Sequence, residues 1–353
     1  MKQLNTMKPV IMVNTVISNI RYEMPKILAL GTLFFLFFAG TANALEIRLA
    51  SPLPRNSDWG LILDRIAAEW YEVTGGEVVL NISHQRPGTE DQYLQWLRQN
   101  RFQAAVFTSQ AFYSIASEIM TLSVPFFIRN NEEFDAVLQE VRPLLDTKIE
   151  EKGFKALAWA KGGWVMIFSR SPVFSPDDLR KLKVGTNPGD TKLNDAFKAL
   201  GFQMVGTSQN DIPAFLLSGR IDAFYQSPIA VQASSIYREA RNLSSIKLAP
   251  FMGGVLMNRQ GWASIPERYR ERLHDIVHRA GIEFEASFQR REAEAIEAMR
   301  RDGLTYNVVS PQMEQVWLND ISSRIPALLD RNVFNKEMYL RIEEILRRYR
   351  SSH

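Results

Sequence analysis

The sequence predicts an α/β protein of two domains built on mostly parallel sheets, and three observations carry that expectation. Short apolar, β-branched runs alternate with helical patterns along most of the chain, the order that joins parallel strands through helices. The 353 residues, 46% hydrophobic and 23% charged, exceed the usual size of one domain and hold ample apolar material for a core. After Pro266 the chain runs to Arg301 without proline and with one glycine, Gly281, while Leu273, Ile276, Val277, Ala280, Phe284, Phe288 and Ile296 recur at helical spacing. That stretch reads as one unusually long helix or two nearly continuous ones; an a/d heptad is not sustained, which argues against a coiled coil.

The first element is a leader. Ile27 to Gly40 is almost purely apolar, contains Phe34-Phe35-Leu36-Phe37-Phe38, and follows Arg21 and Lys26. It is short of the ~20 apolar residues that span a bilayer. The small-residue stretch Thr41-Ala42-Asn43-Ala44 comes next, so residues 1–44 read as a signal peptide cleaved after Ala44, with Met24 a candidate true start. The mature chain would begin at Leu45. The formal net charge of +3 lies wholly in the leader, where Lys2, Lys8, Arg21 and Lys26 face only Glu23. A mature chain of zero net charge has no general attraction for nucleic acid or anionic lipid. With no cysteine, disulfides, thiolate metal sites, thiol catalysis and a lipid-anchor cysteine are all excluded. The localisation that remains is a free periplasmic protein, which implies a Gram-negative cell.

Along the mature chain, Glu46 to Ala50 alternates as a short strand, and Ser51-Pro52-Leu53-Pro54 makes a loop. Trp59, Ile62, Leu63, Ile66, Ala67 and Trp70 then mark an amphipathic helix stopped by Thr74-Gly75-Gly76. Val78 to Ile82 and Phe102 to Thr108 read as strands flanking a helix around Asp91 to Gln99. Further strand-like runs are Ala156–Ala160, Trp164–Ser169, Leu182–Thr186, Gln203–Gly206, Ile221–Tyr225 and Gly254–Asn258. A last amphipathic helix, Asn335–Tyr349, ends in the polar tail Arg350-Ser351-Ser352-His353. There is no Gly/Ser-rich tether, so the two domains must be joined by crossing segments.

A search for chemistry comes up nearly empty. The chain lacks G-x-S-x-G, a phosphate loop, G-x-G-x-x-G after a strand, and H-E-x-x-H, which points away from an enzyme and calls for no cofactor. His274 and His278 stand at i, i+4, but no third His or Cys is near to close a metal site. Asp177-Asp178 and Glu132-Glu133 each open a helix, where acidic side chains favour the N-terminal dipole, so capping accounts for both.

The segment order supplies a resemblance. Leu122-Ser123-Val124-Pro125-Phe126-Phe127, Lys152-Gly153-Phe154, Ala158-Trp159-Ala160, Gly162-Gly163 and Ser171-Pro172-Val173-Phe174-Ser175-Pro176-Asp177-Asp178-Leu179 follow one another at set spacing. So do Leu182-Lys183-Val184, Phe197 to Gly201, Leu217 to Ala223, Met257-Asn258 to Trp262, and Ile265-Pro266. Together they resemble the solute-binding proteins of tripartite ATP-independent periplasmic (TRAP) transporters across Leu45 to about Gly303. The resemblance implies a two-lobe periplasmic solute-binding fold of type II character, a ligand clamped between the lobes, and a long helix spanning both. By analogy lobe I is residues 45–162 plus 251–288, and lobe II is 163–250 plus 289–353 with the C-terminal helices. The implied partners are a small-molecule ligand and the integral-membrane subunits of such a transporter, with no nucleic acid.

Departures from the pattern bear on the ligand. Relatives that bind organic acids carry an arginine after the Leu-Lys-Ile/Val strand, where this chain has Gly185, and a second cation where it has Trp164. The family's Asp-Gly-x-Glu-Asn-Pro segment is here Asp222-Ala223-Phe224-Tyr225-Gln226-Ser227-Pro228, without a carboxylate beyond Asp222. The resemblance thus marks Trp164, Gly185, Asn187, Phe224, Tyr225 and Gln226 as ligand-binding candidates on one side, with Trp59, Phe107, Thr108 and Phe126 on the other. Large aromatics serve packing as readily as recognition, so Trp59, Phe107 and Phe126 keep core as their alternative role. The expected ligand is neutral or apolar, stacked by Trp164, Phe224 and Tyr225 and oriented by Asn187 and Gln226. A relocated cation among Arg55, Arg86 and Lys161 is the alternative. Two other classes stand beside the receptor: a periplasmic enzyme, for which nucleophile and base are missing, and a protein that handles lipid-like molecules or assembly on the same fold.

Overall fold

The computed structural model describes residues 44–189 and 191–352; the expected leader therefore lies outside the described residues, save Ala44. In chain order the elements begin β1 Leu45–Ala50, α1 Asp58–Thr74, β2 Val78–Ser83, α2 Glu90–Arg98, β3 Ala104–Thr108, α3 Ser109–Ile115, α4 Asn131–Glu151 and β4 Phe154–Ser169. There follow α5 Pro176–Arg180, β5 Lys183–Thr186, α6 Thr191–Ala199, β6 Gln203–Gly206, α7 Ile212–Leu217, β7 Ala223–Gln226 and α8 Pro228–Ser234. The chain closes with β8 Asn242–Asn258, α9 Arg259–Ser264, α10 Glu267–Arg301, β9 Thr305–Asn307, α11 Pro311–Ser322, α12 Ile325–Asp330 and α13 Lys336–Ser352. No described helix is long and apolar enough to cross a membrane.

All nine strands join in one sheet of order β2-β1-β3-β8-β4-β7-β5-β6, with β9 on the start of β8. The outer pairings are parallel, as the alternation predicts, but the centre corrects that expectation: β3–β8, β4–β8 and β4–β7 are antiparallel. The two apolar runs Ala156–Ala160 and Trp164–Ser169 are one strand of 16 residues. Gly163 stands at φ +82° between them, and the pairing to β8 jumps from Lys161↔Met252 to Trp164↔Pro250. Gly254–Asn258 is only the end of β8, which begins at Asn242. The β4–β8 ribbon thus runs through the molecule. β2-β1-β3 flank one end of it and β7-β5-β6 the other, and the two sheet halves meet only there.

The largest buried cluster spans both halves, from Phe107, Phe112 and Trp159 to Phe168, Leu216 and Phe224, and each half adds a cluster of its own. Ile47, Leu63, Trp70, Val255 and Leu273 fill that of the first half, and Val184, Leu200, Trp317, Ile321 and Phe334 that of the second. The long helix is continuous over 35 residues. A side chain at Gly281 would place its Cβ 3.3 Å from the Trp159 carbonyl, so glycine there lets α10 press against β4. Beside α1, α10 is laced by Arg65–Glu283 at 2.5 Å, Arg279–Glu69 at 3.4 Å and Arg291–Asp58.

The C-terminal expectation changes too. Arg350 to Ser352 continue α13, and the Arg350 guanidinium grips the buried Glu133 carboxylate with two bonds of 2.8 Å. Glu133 also accepts the Arg129 N–H, so it does more than favour the helix end. Asp178 caps α5 as expected, in a reciprocal box with Ser175.

Candidate functional site

In α/β sheets, ligands sit beyond the carboxyl ends of strands. Here the ends of β3 and β5, one from each half, face one another: Asn187 Nδ2 donates to Gln110 Oε1 at 2.5 Å. Asn187 is fixed from behind by a buried polar chain. Its carbonyl accepts from Asn194 Nδ2 at 2.9 Å, and Thr186 Oγ1 donates to Asn194 Oδ1 at 2.6 Å. Since the single Thr186 proton is used there, the Tyr225 phenol, 2.7 Å away, is the donor to Thr186.

On the facing side, Glu90 accepts the N–H groups of Thr108 at 2.7 Å and Ala111 at 2.9 Å, which fixes the turn from β3 into α3 and aims Gln110. Burial raises the Glu90 pKa, and the two N–H bonds offset only part of that rise. Thr108 itself is exposed at the lip. Gln226 is half-buried and turns its Oε1 back to the Ser227 N–H at 2.9 Å.

The aromatic candidates are placed differently. Trp164 is 2% exposed, with its indole N–H on Asn131 Oδ1 at 3.1 Å, and Phe224 is 1% exposed and stacked on Phe168 at 5.5 Å. These two rings are core side chains, so the expected stacking on a ligand finds no open ring face. Phe107 is buried edge-on to Tyr93 at 6.2 Å. Trp59 is half-buried and stacks on Phe284 at 4.4 Å. Phe126, at φ +60°, lies 5.7 Å from Trp317. The structure therefore brings Thr108, Asn187, Tyr225 and Gln226 to strand ends and draws Phe107, Trp164 and Phe224 into the interior.

Gly185 is buried in β5 between β6 and β7, and a Cβ there would stand 2.8 Å from Ile221 Cδ1. The three alternative cations are engaged elsewhere. Arg55 binds Asp64 at 2.8 Å, a pairing that lowers the Asp64 pKa, and His84 Nε2 contacts the same carboxylate at 2.9 Å. Arg86 lies over the rings of Trp96 and Phe102 at 5.3 and 5.6 Å, and Lys161 is held by Asp135 and Glu285. The histidine pair has its own explanation. Arg142 donates to His278 Nε2 at 2.8 Å, which occupies the lone pair a metal would need beside a fixed positive charge. Burial and the nearby cations hold both histidine pKa values below the usual range. Among the described residues no group of three His, Cys, Asp or Glu side chains could hold a metal.

A family model described as bacterial extracellular solute-binding protein, family 7, matches residues 49–328. The chain belongs to that family. Family 7 proteins bind solutes and catalyse no reaction, in line with the missing nucleophile and base. A solute-binding protein of Verminephrobacter eiseniae is 25% identical over 79% of this chain and 84% of that one. The fold matches that of a TRAP periplasmic solute-binding protein from Chromohalobacter salexigens with bound D-glucuronate. The TM-score is 0.77 at 18% identity, over 85% of this chain and 99% of that one. One from Desulfovibrio salexigens with bound orotic acid gives a TM-score of 0.77, also at 18% identity, over 86% and 99%. The two-lobe α/β architecture is therefore that of this family.

Sequence reasoning missed Gln110, Asn194 and Glu90. The only signal for Gln110 was its place two residues beyond Thr108, where a strand was expected to end.

Proposed function

We propose that the chain is the periplasmic receptor of a TRAP-type uptake system, closing two lobes on a small neutral solute and presenting it to integral-membrane subunits. In this reading the leader is removed after Ala44. The lobes are residues 45–162 plus 251–288, and 163–250 plus 289–353, and they hinge where β4 and β8 change register at Lys161 to Trp164.

The observation that carries the ligand class is Gly185. The strand offers no side chain where acid-binding relatives are expected to place a guanidinium, and Ile221 fills the space where one would start. A carboxylate in a dry cleft without such a partner loses several kcal/mol. The groups at the strand ends are instead neutral hydrogen-bonding ones: Thr108, Gln110, Asn187, Tyr225 and Gln226. Because Trp164 and Phe224 are packed away, the ligand class is polar and uncharged rather than apolar.

Calorimetry of the mature protein, freed of co-purifying ligand, tests the class. D-glucuronate, orotate and succinate should give no binding heat, and the compound released on denaturing freshly purified protein should be neutral by mass spectrometry. Micromolar affinity for any of the three acids overturns the neutral-solute reading.

A further inference from the structure

The Asn187–Gln110 bond joins two segments that are each anchored without it. The start of α3 is pinned to β8, where Ser109 Oγ donates to the Met252 carbonyl at 2.8 Å, and to α2 through Glu90. Asn187 is held by Asn194 and by its own Oδ1, which accepts the Gly189 N–H at 2.9 Å. Gly189 wraps closely on the same amide, since a Cβ there would lie 3.3 Å from Gln110 Nε2. The Asn187–Gln110 bond thus joins two preorganised supports, each of which keeps its own anchors when that bond parts.

We propose that Gln110 is a positioning residue of the receptor, whose pairing with Asn187 latches the two sheet halves across the cleft and sets the population of the closed form before ligand arrives. The inference rests on the receptor reading only in that the cleft must close. A neutral hydrogen bond shifts such an equilibrium about two- to tenfold, enough to bias closure and too little to prevent release. Apparent affinity scales with the fraction of binding-competent protein, so Gln110 would act on affinity whatever the solute.

The absence of cysteine allows a direct test on the mature chain without ligand. Spin labels at Glu72→Cys and Lys181→Cys, exposed positions on α1 and just after α5, report the distance between the halves. Wild type should show a short-distance population that Gln110→Ala reduces two- to tenfold. Asn187→Ala should do the same, and the double variant no more than either single one. Gln110→Glu keeps the acceptor for Asn187 Nδ2 and should retain the closed population, which separates a lost latch from a damaged fold. An identical distance distribution in wild type and Gln110→Ala, or fully additive losses in the double variant, overturns the proposal. Because no solute is present, failure here leaves the acid titrations untouched, and failure of those titrations leaves this result standing.

Discussion

The β4 edge beside Gly163 and the ends of β3 and β5 are both places where the two sheet halves are held, and they are held with opposite chemistry. Beside Gly163, the outer edge of β4 has no strand partner until Met166 meets Gln226 in β7, and α10 covers it with charge. Glu285 accepts the Lys161 N–H and Glu292 the Trp164 N–H, each at 3.0 Å, while α4 adds Asp135 to Lys161. At the ends of β3 and β5, Gln110 and Asn187 make an amide pair between uncharged side chains. Bonds to ionised groups are roughly twice as strong as neutral ones and strongly directional. In the proposed receptor, carboxylates thus brace the ribbon edge about which the lobes would turn, and a neutral amide pair lies where they would part. Covering the β4 edge also blocks pairing with a foreign strand.

The largest effect should come from breaking the charged bracing of α4, whose first turns supply Asn131 to Trp164 and Asp135 to Lys161. Glu133 in that helix has a side chain 5% exposed. Burial alone would raise its pKa, yet the Arg350 bonds and the Arg129 N–H outweigh burial and leave it lowered. Its stabilisation is present above the ordinary carboxylate pKa and lost as pH falls through the lowered one. Arg350→Ala should cost about 3 kcal/mol in urea unfolding at pH 7, because it strands a buried carboxylate. Arg350→Lys should recover only part of that, lacking the two-pronged grip. A loss under about 1 kcal/mol would mean that the bracing is an exposed-type ion pair instead.

A smaller loss is expected at Gly163. Its φ of +82° disfavours any side chain, and a Cβ would fall 2.2 Å from Glu292 Oε2 and 2.5 Å from Phe288 Cε1. Gly163→Ala should lower stability by about 2 kcal/mol, from left-handed strain and the displaced carboxylate together. A neutral outcome in chemical denaturation would show that neither the left-handed backbone nor the crowding by Glu292 and Phe288 constrains this position.

The smallest effect sharpens the comparison by sign. Burial raises the Glu292 pKa, with the Trp164 N–H and Lys247 offsetting part of the rise. The folded protein therefore takes up that proton more readily than the unfolded chain. This contribution to stability is full below the ordinary carboxylate pKa and is lost as pH rises through the raised value. Glu292→Gln keeps an oxygen for the Trp164 N–H and removes the charge. Its melting temperature at pH 7 should equal or exceed that of wild type, with the advantage vanishing near pH 4. A lower value at pH 7 would show that the β4 edge needs the ionised carboxylate.

Much of the scaffold could be read before the structure, and the failures share a cause. Gln203–Gly206 is β6 without adjustment, and the absence of proline foretold the whole of α10. The first part of β8 escaped because Asn242 to Gly253 has Pro250, Gly253 and no steady alternation, as befits a strand that passes from one half to the other. Gly162-Gly163 read as a break because glycine weakens a strand interior, and nothing local showed that it instead marks a bend within one strand. At the site, the family resemblance marked Asn187, Tyr225 and Gln226, which lie at or just beyond the ends of β5 and β7. The rings of Trp164 and Phe224 were misjudged because burial depends on segments far away, such as Asn131 over Trp164. Gln110 was invisible for the same reason, since its partner lies 77 residues on.

The place of β8 in the sheet governs how the protein is made. The first half cannot finish until residues 253–257 pair with β3, and the second waits on the same strand at Asn242 to Met252, because β4 enters through it. A chain emerging from the ribosome therefore exposes an open β3 edge and an unanchored β4 until more than two thirds of it has been synthesised. Contacts this distant in sequence form slowly. Until β8 arrives the growing chain is a pair of unfinished sheets, and the late arrival of the central strand is a delay written into the order of synthesis itself.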